Sequence, residues 1–208
     1  METAIAHGHE AHTEHATSTG LDNRKLLMWA FLASDCLFFG SFIMTYLLYK
    51  GKNLVGPLPA QIYDIPYTSV SAFVLLMSSV TMVLALAAIQ RGDQRGLRVW
   101  LLATALLGSV FVGGQYYEFT TFVHEGLRPS TNLFGTTFFV LTGFHGAHVT
   151  VGIIILLSLL ITSLVGRLPR SESLTVEIAG LYWHFVDIVW IVIFTVVYLI
   201  PDAPAVPH

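Results

Sequence analysis

Five runs of apolar residues, each long enough to cross a lipid bilayer as a helix, dominate this sequence: 26–49, 67–90, 98–122, 133–165 and 174–200. A helix rises about 1.5 Å per residue and about 30 Å of hydrocarbon must be spanned, so roughly 20 apolar residues suffice. Within the five runs the only formal charges are Asp35, Arg98, Glu118, Glu177 and Asp187, although the chain carries 10 Lys and Arg and 13 Asp and Glu. Charge is thus confined to the connectors, which predicts an all-α, polytopic membrane bundle of five transmembrane helices. A transmembrane barrel would need alternating rather than continuous apolar residues. The net charge of −3 offers no basic footprint for nucleic acid. One cysteine, Cys36, cannot build a disulfide framework or thiolate cluster within a chain.

The connectors divide the chain simply. Residues 1–25 are polar, carry His7, His9, His12 and His15, and lack a basic segment running straight into an apolar core, so a cleaved signal is not expected. That histidine tract is either a loose metal-binding tail or a solvated flexible one. Residues 26–200 form the five-helix domain and 201–208 a short tail. Gly and Pro in 50–66, the polar hairpin RGDQRGL at 91–97, and Pro129 and Pro169 in the later links break the helices. Links this short make consecutive helices pack as neighbours.

Basic residues set the orientation. Arg24, Lys25, Arg91, Arg95, Arg98, Arg167 and Arg170 collect on the side where the first helix begins, and only Lys50, Lys52 and Arg128 on the other. The positive-inside bias places the N-terminus in the cytoplasm and, after an odd number of spans, the C-terminus outside. Trp29, Trp100, Tyr49, Tyr67 and Tyr198 fall near run ends, as interfacial anchors do.

Polar groups inside the membrane need a partner or a purpose. The candidates are Asp35, Glu118, His145, His148, His184 and Asp187. Counting rise along each run puts all but Glu118 near mid-membrane; Glu118 falls near the far boundary, where Gln115, His124 or Arg128 can neutralise it. His145 and His148, and His184 and Asp187, are three residues apart, so each pair lies on one side of a helix and can address one partner. Gly143, Gly146 and Ala147, with Gly113 and Gly114, would let backbones approach closely. Three uses compete for this polar seam: structural pairing between helices, a proton or ion route, or a metal site. A di-iron bundle would want Glu-x-x-His motifs, and no Glu precedes a His by three within any run.

The phrases themselves carry a resemblance. YWHFVDIVWIVIFTVVYL (182–199), GQYYEF (114–119) and FGTTFFVLTGFHGAHVTVG (134–152) resemble the last helices of subunit III of the haem-copper terminal oxidases, and WAFLASDCLFFGSF (29–42) resembles the family helix with a buried acidic residue. The resemblance covers everything after the polar tail. Many members carry two further leading helices and Glu at the buried acidic position; this chain starts at what corresponds to their third span and has Asp35. QRGDQRGLRVW (90–100) points toward the cytochrome c type, with the bacterial quinol oxidases as the alternative.

The resemblance implies a non-catalytic subunit of a proton-pumping oxidase in a bacterial cytoplasmic membrane. Haem and copper would reside in partner subunits, with no cofactor bound by this chain. His145, His148 and His184 are too few to ligate the haems and copper of such an enzyme, and a binuclear copper site needs two cysteines. Subunits I and II, a small subunit IV and structural phospholipids are the implied partners. Asp35 and Trp29 are expected near the family's lipid cleft, with Asp35 bonded to an intramembrane histidine. Another subunit would supply the two leading helices. An accessory subunit of a nitric oxide reductase, an independent proton or cation transporter and a lipid-binding module are the alternatives.

Overall fold

A computed structural model describes residues 22–50, 64–130 and 132–200. The histidine tract, most of the first connector and the last eight residues lie outside the described residues. The described chain is helical throughout: α1 (Asn23–Tyr49), α2 (Ile65–Arg91), α3 (Gln94–His124), α4 (Leu133–Leu164) and α5 (Ser173–Phe194). A 3₁₀ turn, Arg170–Glu172, leads into α5, and a π-helical turn, Thr195–Leu199, follows it. All five are long and apolar enough to cross a membrane. The chain is therefore a multi-pass membrane protein.

Short polar residues start the helices. Asp22, Asp64, Asp93 and Asn132 each accept a hydrogen bond from a backbone N–H in the first turn of α1, α2, α3 and α4. Such N-caps satisfy donors that the helix itself leaves unpaired. Hydrogen bonds from Arg24 hold the Asp22 carboxyl below the usual carboxylate range. The α2–α3 link is the tightest. Gly92 takes φ 79°, a left-handed conformation open to glycine, and Asp93 at once caps α3.

Successive helices run antiparallel, and α2, α3, α4 and α5 enclose the core, with α1 laid against α4 and α5. Trp183 of α5 is the central wedge. A Cβ on Gly152 would lie 2.8 Å from its ring, and one on Gly108 would collide with it too. Glycine at these two positions therefore lets α3 and α4 close around the indole. Its Nε1 donates to Ser78 Oγ at 2.9 Å, tying the wedge to α2. Gly146 abuts Gln115 and Gly114 abuts the Tyr67 hydroxyl, as close approach requires. Gly113 and Gly143 do not serve that purpose: both face open space.

The least buried helix, α1, is held at both ends. Lys25 pairs with Glu177 of α5 on the face where α1 begins. On the opposite face Lys50 Nζ donates to the carbonyls of Val196 and Ile200, which a helix end leaves without intrahelical donors. Arg98 does the same for α4, reaching the Ser163 carbonyl at 2.8 Å and its hydroxyl at 3.2 Å.

Candidate functional site

The six intramembrane candidates do not form one seam; they fall into four separate stations. Asp35 and His148 form the first, between α1 and α4. His148 Nε2 lies 3.7 Å from Asp35 Oδ2, an ion-pair distance longer than a hydrogen bond. His148 Nδ1 lies 2.7 Å from the Phe144 carbonyl. A carbonyl only accepts, so Nδ1 carries a proton, and Nε2 is left to face the carboxyl group. Tyr182 of α5 donates to the His148 carbonyl at 3.0 Å, bringing a third helix to this point.

The second station joins α2 to α5 through a residue that sequence reasoning passed over. Ser79 Oγ donates to Asp187 Oδ2 at 2.5 Å and lies 3.1 Å from His184 Nδ1. One hydroxyl thus bridges both members of the His184–Asp187 pair. The pairing of these two on one helix side did point to a common partner; a serine among apolar α2 residues gave no signal of being that partner.

His145, expected to share a partner with His148, is instead wholly enclosed by aromatic rings. It stacks on Trp190 with centroids 4.9 Å apart and meets Phe111 and Phe39 edge-on. Among the described residues neither ring nitrogen has a hydrogen-bond partner, and the same holds for Trp190 Nε1. A three-residue offset still leaves about 60° around the helix axis, enough for two histidines to address different neighbours.

Glu118 sits in the fourth station, at the membrane face opposite the start of α1, where two hydroxyls meet it rather than the expected Gln115, His124 or Arg128. Its Oε1 accepts from Thr68 at 2.7 Å and from Tyr198 at 3.1 Å. Gln115 turns away to donate to the Thr142 carbonyl at 2.7 Å. Tyr198, expected as an interfacial anchor, is buried because its hydroxyl turns inward to this carboxylate. Trp29 does stand exposed on α1.

Each polar station except His145 thus ends in a polar contact between helices: α1 to α4, α2 to α5, α2 and the turn after α5 to α3. Among the described residues no three His, Cys, Asp or Glu side chains converge on a metal position. An open groove of about 550 Å³ lies between α1 and α5, lined by Arg24, Leu27, Met28, Phe31, Thr175 and Ile178. Neither Asp35 nor Trp29 lines it.

Comparison with known proteins places this architecture. The family model for cytochrome c oxidase subunit III matches residues 3–201. Quinol oxidase subunit 3 of Bacillus subtilis is 39% identical over 199 residues, covering 96% of this chain and 97% of the relative. Cytochrome c oxidase subunit 3 of Bacillus sp. (strain PS3) is 38% identical over 177 residues, 85% of this chain and 86% of the relative. A probable quinol oxidase subunit 3 of Staphylococcus saprophyticus is 37% identical over 193 residues, 92% and 96% respectively. A match over nearly the whole chain, on the helices that carry these four stations, makes this protein a member of the cytochrome c oxidase subunit III family.

Proposed function

We propose that this chain is a redox-silent support of a terminal oxidase, holding its catalytic neighbours in place while haem and copper remain in subunits I and II. The observation that carries the proposal is where the intramembrane polar groups go: Ser79 with His184 and Asp187, Thr68 and Tyr198 with Glu118, Asp35 with His148. These groups are spent on joining helices, the use for which polar side chains are retained inside membrane bundles. A small subunit IV completes the implied assembly.

Structural phospholipid belongs to the same proposal. The groove between α1 and α5 has apolar walls with Arg24 at its end, which suits an acyl chain below and a phosphate above. The excess of Lys and Arg on the face where α1 begins supports a cytoplasmic N-terminus and an external C-terminus.

The electron donor is a separate matter. The phrase at 90–100 has a local explanation: Gly92 turns the chain, Asp93 caps α3, Gln94 donates to the Leu168 carbonyl and Arg98 to Ser163. None of those duties depends on what reduces the enzyme. Relatives named for quinol and for cytochrome c match almost equally.

One purification tests the proposal. The tagged chain, extracted from its native membrane in mild detergent, is expected to bring down a larger haem protein whose visible bands appear on reduction with either cytochrome c or quinol. Whichever donor works names the oxidase type. A chain that purifies alone, and alone carries protons or cations across liposomes above leak, would refute the supporting role.

A further inference from the structure

Ser79 stands midway along α2 and His184 midway along the last span, Arg170–Leu199, each about 20 Å from either end at about 1.5 Å per residue. Both are partly exposed. The surface around them is apolar: Leu76 and Val83, one turn before and one turn after Ser79, and Ile188 and Ile191, one and two turns beyond His184, are all exposed. One polar atom interrupts this strip. Ser79 gives its single proton to Asp187 Oδ2, so toward His184, 3.1 Å away, its oxygen accepts and the imidazole Nδ1 donates. In a neutral ring Nε2 is then an acceptor, and among the described residues it has no hydrogen-bond partner. An intramembrane imidazole faces the bundle interior or pairs with another group. His184 does so through Nδ1 alone.

From this arrangement we propose that a transmembrane helix of a neighbouring oxidase subunit docks across α2 and α5 and presents a hydrogen-bond donor to His184 Nε2; the inference rests on the supporting role proposed above. Depth singles out that occupant. Phospholipid headgroups, with their ammonium and phosphate groups, lie at the two surfaces of a hydrocarbon layer about 30 Å thick, and the acyl chains that reach its middle carry no donor. A connector segment laid against lipid at that depth would leave its backbone N–H and C=O groups unsatisfied. A helix satisfies its own backbone and can carry a Ser, Thr, Asn or Gln side chain to mid-membrane, where such groups hydrogen-bond across helices. Leu76, Val83, Ile188 and Ile191 give the rest of that helix an apolar surface to pack on. The supporting role makes another subunit, rather than a second copy of this chain, the source of the helix.

The test uses the purified complex. The wild-type chain must first co-elute with haem protein; if it does not, the supporting role and this inference fall together. Given co-elution, a benzophenone amino acid replaces the exposed Ile188, the complex is irradiated, and adducts are sequenced by mass spectrometry. A cross-link to a transmembrane peptide of another oxidase subunit is the expected result. Adducts confined to lipid, to detergent, to a second copy or to other segments of this chain would overturn the inference and leave the supporting role intact. In parallel, His184→Asn keeps a group where Nδ1 meets Ser79 and removes the one at Nε2, whereas His184→Gln does the reverse. The Asn variant should leave the complex about three- to tenfold faster than wild type, as loss of one interhelical hydrogen bond in a membrane does, and the Gln variant at close to the wild-type rate. Release of the Asn variant at the wild-type rate, or of the Gln variant as fast as the Asn one, would equally overturn it. Should either variant fail to insert, the cross-link alone decides, since it leaves His184 in place.

Discussion

Removing the Ser79 hydroxyl should cost the folded bundle about 1 to 2 kcal/mol. That hydroxyl donates to Asp187 Oδ2 at 2.5 Å and meets His184 Nδ1 at 3.1 Å, so Ser79→Ala strips both groups of one partner. Asp187 is 5% exposed and its other oxygen already lacks a partner among the described residues. Hydrogen bonds to charged groups contribute roughly 1.5 to 3 kcal/mol in soluble proteins. Inside membranes measured couplings average about 0.6 and reach about 1.7 kcal/mol, because the unfolded chain in the bilayer finds other partners. A carboxylate this enclosed belongs at the upper end of that membrane range. Reversible unfolding in mixed micelles, run as a cycle with Asp187→Asn, measures it. The coupling should be about 1 kcal/mol. Ser158→Ala is the control, since that exposed hydroxyl bonds only to the Ile154 carbonyl of its own helix, and it should change stability by no more than about 0.5 kcal/mol. If Ser79→Ala matched the control, or added to Asp187→Asn without coupling, the bridging role of Ser79 would be refuted.

Other perturbations have equally definite outcomes. Gly152→Ala pushes a methyl to 2.8 Å from the Trp183 ring and should destabilise by about 1 to 3 kcal/mol through overpacking, whereas Gly143→Ala meets open space and should be neutral or stabilising by up to about 1 kcal/mol from helix propensity; thermal unfolding in detergent compares them. Lys25→Met should change stability by less than about 1 kcal/mol, because the Lys25–Glu177 pair is partly exposed, and raised salt should erase the difference. Lys50→Met bares the Val196 and Ile200 carbonyls and should speed amide exchange selectively in the last turn of α1 and at the end of α5. Asp35→Ala should leave the haem content of the purified complex nearly unchanged while loosening subunit association or shortening its working lifetime, read from haem spectra and from oxygen uptake over time.

Hydropathy made the helices legible to within a few residues, because the bilayer tests every residue of a span for apolarity and the test is visible in composition. Two ends differ more: α3 begins at Gln94 rather than Arg98 because Asp93 caps it four residues earlier, and α5 ends at Phe194, where the π-helical turn Thr195–Leu199 takes over. The site was legible only in part, and the boundary has a physical cause. Asp35 and the three histidines stood out because an acid and an imidazole are rare in a span, but spacing and depth did not single out His148, which stands 3.7 Å from Asp35, beyond hydrogen-bond length. Thr68, Ser79 and Tyr198 did not stand out, since hydroxyl side chains are common in membrane helices and most of them bond their own preceding turn, as Ser69 and Thr150 do here. Which way they turn depends on the azimuth of the neighbouring helix, which residue spacing on one chain does not encode. His145 shows the same limit from the other side, for its spacing matched His148 while its surroundings are aromatic.

In the proposed role this chain supports redox chemistry without holding any of it. That role is tested most directly by stripping the chain from the purified oxidase and assaying both fractions for iron, copper and initial oxygen uptake. The metals and the initial rate should stay with the partner subunits, which then lose activity sooner during turnover. Iron or copper leaving with the released chain, in stoichiometric amount, would contradict it.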